Sequence, residues 1–177
     1  MFLSMQLHSD LNSSSTKTPH VLSQPLLHII LDRPKIAANI ASIVRLSASF
    51  QAVLHVCGPL VFDQGDKTKW RAGLDYFYGA RVHFHQDIFS CLQLLGDIEP
   101  WIIEVGGEKA PWDVSFESGA IVIFGPEDGS VNDLICNRYQ ERIVSIPQYG
   151  PVRSLNLAQC VAMVTAEATR QLQDKNK

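Results

Sequence analysis

The sequence predicts an α/β protein, a mostly parallel sheet with helices on both faces. Three observations carry that expectation. Short apolar runs rich in β-branched residues, Leu26–Leu31, Val53–Val56, Trp101–Val105, Ile121–Phe124 and Ile143–Ile146, read as strands buried on both sides. Between them lie Ala37–Ser49, His85–Leu95, Val131–Arg138 and Leu155–Leu172, where apolar residues recur at helical spacing. Loops containing Pro, Gly or Ser follow Val105, Phe124 and Ile146, at what would be C-terminal strand ends. In a sheet of βαβ units, ligands bind beyond those ends.

Taken from the N-terminus, residues 1 to 24 stand apart. The stretch Asn12-Ser13-Ser14-Ser15-Thr16, with Pro19 and Pro25 nearby, lacks apolar periodicity and predicts a flexible leader. It has no secretory apolar segment, and it lacks the arginines of a transit peptide. Residues 25 to 177 are then expected to form one domain. The first strand leads into Asp32 to Arg45, where Asn39 and Arg45 stand six positions apart. On a 3.6-residue period these two are about 120° apart, on one face only if the helix start is irregular. Taken alone, Arg45 reads as a solvated helix residue. His83 and His85 alternate with Val82 and Phe84, a strand-edge pattern. In the last helix Val161, Val164, Ala168 and Leu172 share a face. Just before it, Ile146-Pro147 ends a strand, and Ser154 and Asn156 fall where the helix would start. There they serve as helix caps, as a ligand site, or as both.

Composition narrows the function classes. No apolar run approaches the ~18 to 20 residues that span a bilayer. The formal charge of -3 gives no global attraction to nucleic acid, so RNA binding would need a local basic patch or one made by dimerisation. Lys67, Lys69 and Arg71 beside Trp70 are either such a patch or a solvated face. Cys57, Cys91, Cys136 and Cys160 are far apart and outside any C-x-x-C or C-x-x-H pattern, which fits free thiols in a reducing cytoplasm. His83 and His85 have no Cys or carboxylate at ligand spacing, so no metal site is expected. Neither G-x-G-x-x-G nor G-x-x-x-x-G-K-[ST] occurs, which argues against dinucleotide and P-loop sites.

Three segments together resemble a known family. Asn39-x-x-x-x-x-Arg45, Phe124-Gly125-Pro126-Glu127, and Ile146-Pro147 with Arg153-Ser154-Leu155-Asn156-Leu157 match, in order and spacing, the motifs of the SPOUT superfamily of 2'-O-ribose RNA methyltransferases. The block Arg71-Ala72-Gly73-Leu74-Asp75-Tyr76 resembles the signature of its short, single-domain subfamily acting on the tRNA wobble nucleotide. The resemblance covers residues 26 to 172. The chain departs from the pattern at Ala41 and Ser42, where Gly and Asn are usual, and at Ser130, where a glycine is expected and Gly129 stands one step early.

The resemblance implies a C-terminal deep trefoil knot, with S-adenosylmethionine bound in it and no metal required. The cofactor's adenosine would contact the loop after Ile103, the turn at Gly125, the backbone at Ile146 and the helix start at Ser154, with Leu155 and Leu157 as apolar wall. The activity implied is 2'-O-methylation of the wobble ribose, on cytidine or uridine. Arg45 would orient the hydroxyl and a neighbouring phosphate, since an arginine is a poor base. Glu127 would hold loop geometry or orient Arg45; the other reading of it is a carboxylate near the helix before Val131. Ser154 and Asn156 would hydrogen-bond within the knot. Asn39, Arg45, Lys67, Lys69, Arg71 and Arg153 would face the tRNA anticodon stem-loop, and a cytoplasmic homodimer would form through the knot region, with the apolar face of Leu155 to Leu172 as an interface element. The alternatives are another tRNA or rRNA position, or a non-catalytic binder of S-adenosylmethionine or RNA.

Overall fold

The computed structural model describes residues 24–61 and 80–175. In chain order the elements are β1 (Leu27–Asp32), α1 (Ala37–Ser49), β2 (Val53–Cys57), β3 (Arg81–His85), α2 (Ile88–Leu95), β4 (Trp101–Ile103), β5 (Ala120–Phe124), α3 (Asp133–Arg138), β6 (Ile143–Val144) and α4 (Leu157–Lys175). The strands form one sheet in the order β3-β2-β1-β5-β4-β6, and every pairing is parallel.

Period-two alternation sorts the strand residues onto two buried faces. Leu27, Ile29 and Leu31 of β1, with Leu54, Val56, Val122 and Phe124, pack under α1 and α4. Ile30, Cys57, Ile102, Ile121 and Ile123 pack under α2 and α3. The expected arrangement of helices on both faces is therefore present. Helix α4 turns Val161, Val164 and Ala168 into the first of these cores, where all three are fully buried. The apolar face offered as an interface element is thus occupied by the protein's own sheet. Among the described residues no helix is long and apolar enough to cross a membrane.

The element boundaries moved for identifiable reasons. A sixth strand, β3, occupies a sheet edge, as the alternation of His83 and His85 with Val82 and Phe84 suggested. Its residues are largely exposed or half-buried, so it never showed as an apolar run. Helix α2 begins at Ile88 rather than His85, because the Asp87 carboxylate accepts the Ser90 N–H at 2.8 Å in a capping box. Asn132 caps α3 by accepting the Leu134 N–H, so that helix starts at Asp133 rather than Val131. Strands β4 and β6 end at Ile103 and Val144, before the expected Val105 and Ile146.

Past β6 the chain turns to the segment following β4, and the Ser145 N–H donates to the Lys109 carbonyl at 2.8 Å. Gly107 makes that approach possible. A Cβ there would lie 2.9 Å from the Ile143 carbonyl oxygen and 3.0 Å from the Ser145 nitrogen, both backbone atoms. Gly107→Ala should therefore lower stability by about 1–3 kcal/mol, as overpacking does. The check is the urea midpoint against wild type, and an unchanged midpoint would show that this crossing tolerates a side chain.

Candidate functional site

At the C-terminal ends of β4, β5 and β6 lies a groove of about 640 Å³, counting its open mouth. Ile103, Gly125, Ile146, Ser154 and Leu155, the residues expected to hold a cofactor, all line it, as does Glu127. The three loops named from the sequence thus converge. Ile103, Phe124, Ile146, Leu155 and Leu157 supply apolar surface, and Glu104, Glu127 and Gln148 supply polar groups. Gly125 sits where the loop after β5 folds back on itself. A Cβ would lie 2.8 Å from the Val131 nitrogen, so only glycine fits.

Two lining residues were not legible in the sequence. The Glu104 carboxylate accepts the Val105 N–H and the Val131 N–H, each at 3.0 Å, and so ties the loop after β4 to the loop after β5. Among the described residues the side-chain oxygen of Gln148 is buried without a hydrogen-bond partner. A buried acceptor left unpaired costs about 1–3 kcal/mol, so the groove is suited to a ligand that brings a donor. S-adenosylmethionine has amino and hydroxyl donors on an otherwise flat, weakly polar nucleoside, and the walls and this acceptor fit such a group.

Around the groove runs a continuous side-chain relay. Glu127 accepts the N–H groups of Lys35 (2.8 Å) and Ile36 (3.1 Å), just ahead of α1. The same carboxylate accepts the Asn39 side-chain amide at 2.8 Å, and the Asn39 oxygen accepts the Asn156 amide at 2.9 Å. Asn156 then caps α4, its oxygen accepting the N–H groups of Ala158 and Gln159. Three of the motif residues are thereby joined. Glu127 acts at the N-terminus of α1, where a carboxylate also favours the helix dipole, rather than at the helix after Val131. Asn39 is only 7 % exposed, and both ends of its amide are engaged within the protein.

The remaining expected residues are placed as follows. Arg45 lies on an exposed face of α1, and Arg153 is exposed in the loop beside Ser154. Lys67, Lys69, Arg71 and the block through Tyr76 fall outside the described residues. The departures from the family pattern sit comfortably. Ala41 is buried within a regular stretch of α1, and Ser42 donates its hydroxyl to the Ala38 carbonyl. Positive φ among the described non-glycine residues is confined to Arg33 and Gln51, so Ser130 needs no glycine conformation. Its carbonyl accepts a hydrogen bond from Arg33 at 3.0 Å.

Comparison with known proteins agrees with this geometry. The tRNA (cytidine(34)-2'-O)-methyltransferase of Photorhabdus asymbiotica is 35% identical over 153 residues, covering 83% of this chain and 94% of its own length. The protein of the same name from Escherichia coli strain K12 is 34% identical over 148 residues, with 83% and 94% covered. A solved structure concerned with the 2-OH methylation of C/U34 on tRNA superposes with a TM-score of 0.78 at 32% identity, covering 84% of this chain and 97% of the other. A Streptomyces viridochromogenes SpoU methyltransferase solved with AdoMet gives 0.74 at 21% identity, with 86% and 63% covered, a likeness of fold alone. Residues 26–166 match the SpoU rRNA Methylase family over most of the chain's length, and the chain belongs to that family.

Proposed function

We propose that this protein transfers a methyl group from S-adenosylmethionine to the ribose 2'-hydroxyl of the wobble nucleotide of tRNA, a cytidine or uridine. The observation that carries the reading is the convergence of all three motifs on one groove through the Glu127–Asn39–Asn156 relay. The names of the relatives, at about a third identity across nearly their whole length, specify the nucleotide. Action on tRNA and the free thiols support a cytoplasmic location.

When bound, the cofactor supplies a sulfonium methyl, already a strong electrophile. The protein's share is therefore alignment and proton management. Ile103, Gly125, Ile146, Ser154 and Leu155 would hold the cofactor, with Gln148 taking one of its donors. Arg45 would orient the 2'-hydroxyl and the adjacent phosphate through its fixed fork of N–H donors. Arg153, beside the groove, and Lys67, Lys69 and Arg71 would meet backbone phosphates of the anticodon stem-loop. Asn39, being buried, acts as a positioning residue rather than an RNA contact. The approach of the chain after β6 to the segment holding Lys109 supports the C-terminal trefoil knot of this superfamily.

A homodimer belongs to the same reading, on a surface other than the α4 core face. Tyr149 is 97% exposed and Val152 58% exposed in the loop ahead of α4, and a second copy seated there would cover both. Sedimentation of the purified protein should give a dimer, and Tyr149→Asp with Val152→Asp should shift it to monomer. A parent protein that sediments as monomer would remove this part.

Purified protein incubated with S-adenosylmethionine and bulk tRNA should yield 2'-O-methylated nucleoside at position 34, located by nucleoside mapping. Transfer to another position, or cofactor binding with no transfer to any RNA, would overturn the assignment. Asn39→Ala leaves Glu127 and Asn156 each short of a partner in a half-buried site. It should cost about 1–3 kcal/mol of stability. It should also raise the KM for S-adenosylmethionine more than it lowers kcat, which initial-rate kinetics separate; an unchanged KM would show that the relay does not shape the groove.

A further inference from the structure

The sheet face under α2 carries a cluster that methyl transfer leaves unused. His28 of β1, His55 of β2 and His83 and His85 of β3 form a row across three adjacent strands, because the register sets His55 beside His83 and Cys57 beside His85. His28 Nδ1 lies 3.0 Å from His55 Nε2, and His55 Nδ1 lies 2.9 Å from His85 Nε2. Helix α2 sets Cys91 over this row, in the same buried core as Cys57. One ligand atom from each of His55, His85 and Cys91 lies within 4.8 Å of the other two.

We propose that His55, His85 and Cys91 bind one zinc ion, with a water in the fourth position. Three nitrogen and sulfur ligands with a water are a donor set that tetrahedral zinc takes, at about 2.0–2.1 Å to nitrogen and 2.3 Å to sulfur. Ligand atoms in such a shell stand about 3.3–3.8 Å apart, so the 2.9 Å contact between His55 and His85 opens by a few tenths of an ångström. His55 is 3 % exposed, so its ring is held in place by the surrounding core.

The proton balance is simple. The Cys91 thiol loses its proton to solvent as the metal takes the sulfur, and the thiolate offsets one of the two charges of the cation. With His55 donating Nε2–H to His28 Nδ1, His55 Nδ1 turns its lone pair to the ion, and His85 carries its proton on Nδ1. His28 thus acts behind the ligands, fixing the His55 tautomer. The ion reaches the site through the sheet edge, where His85 is half-buried and His83 exposed. Once bound, it pins edge strand β3 and helix α2 to β2. The site is independent of the cofactor groove.

The test uses the full chain, stripped with a chelator and titrated with Zn²⁺ against a chromophoric competitor, then with Co²⁺ followed by absorption. One Zn²⁺ per chain should bind, and Co²⁺ should show thiolate-to-metal charge transfer with the visible bands of a tetrahedral ion. Cys91→Ser should remove stoichiometric binding and the charge transfer, while Cys136→Ser should change neither. His28→Ala should weaken Zn²⁺ binding about 10–100-fold, as loss of a partner behind a ligand does. If Cys91→Ser fails to match the circular dichroism of the stripped parent, His85→Gln at the half-buried edge serves in its place. Failure to bind one Zn²⁺, or full binding retained in Cys91→Ser or in its His85→Gln replacement, overturns the proposal.

Discussion

The groove depends on one hydrogen-bonded chain, Glu127 to Asn39 to Asn156, because it fixes two helix starts against one loop. Both helices would otherwise leave N–H groups unpaired at their first turns. At α1 the local sequence offers no side-chain cap: Ile36 occupies that position, and the carboxylate that serves it comes from the loop after β5. At α4 Asn156 caps its own helix and reaches across to α1 at the same time. Helix capping and site construction are therefore one set of contacts. A change at any member displaces a groove wall as well as a helix end.

Beneath this chain, the sheet sets where the groove can form. β1 is covered on both sides and flanked by long partners, β2 and β5. β4 and β6 run for only three and two residues. Where those strands stop, their continuations leave the ladder and fold over the exposed end of the sheet. The Glu104 side chain then recovers backbone donors of both the β4 and β5 loops. Short strands at that side of the sheet thus become long loops at its C-terminal end, and the loops become the pocket.

Much of this was legible because it follows from local patterning. Buried parallel strands read as apolar runs, and amphipathic helices as periodic ones. The order of the three motifs survived because each ends a strand or starts a helix. What stayed hidden depends on contacts between distant segments. Of β3, an edge strand of histidines and exposed residues, only the alternation of His83 and His85 with Val82 and Phe84 was visible; its pairing with β2 was not. The Gln148 oxygen is significant only because nothing among the described residues pairs it. The cluster of His55, His85 and Cys91 draws on β2, β3 and α2, and no spacing rule covers ligands gathered from three elements. Helix boundaries slipped by two or three residues wherever Asp87, Asn132 or Asn156 took a capping position inside a periodic stretch.

The relay also explains the spacing of Asn39 and Arg45. Six residues of a regular helix separate the two side chains by about 9 Å along the axis and about 120° around it, so they cannot share a face. The structure makes sense of that geometry: Asn39 is buried and anchors α1, while Arg45 rides on an exposed face one and two-thirds turns further on. With the start of α1 tied to Glu127, the rigid helix sets how far Arg45 stands from the groove. The motif spans a lever of defined length, one end fixed in the relay and the other carrying the Arg45 guanidinium. Ala41 and Ser42 lie between those ends. There alanine favours the helix over the family's glycine by about 1 kcal/mol, and so stiffens the lever rather than spoiling it.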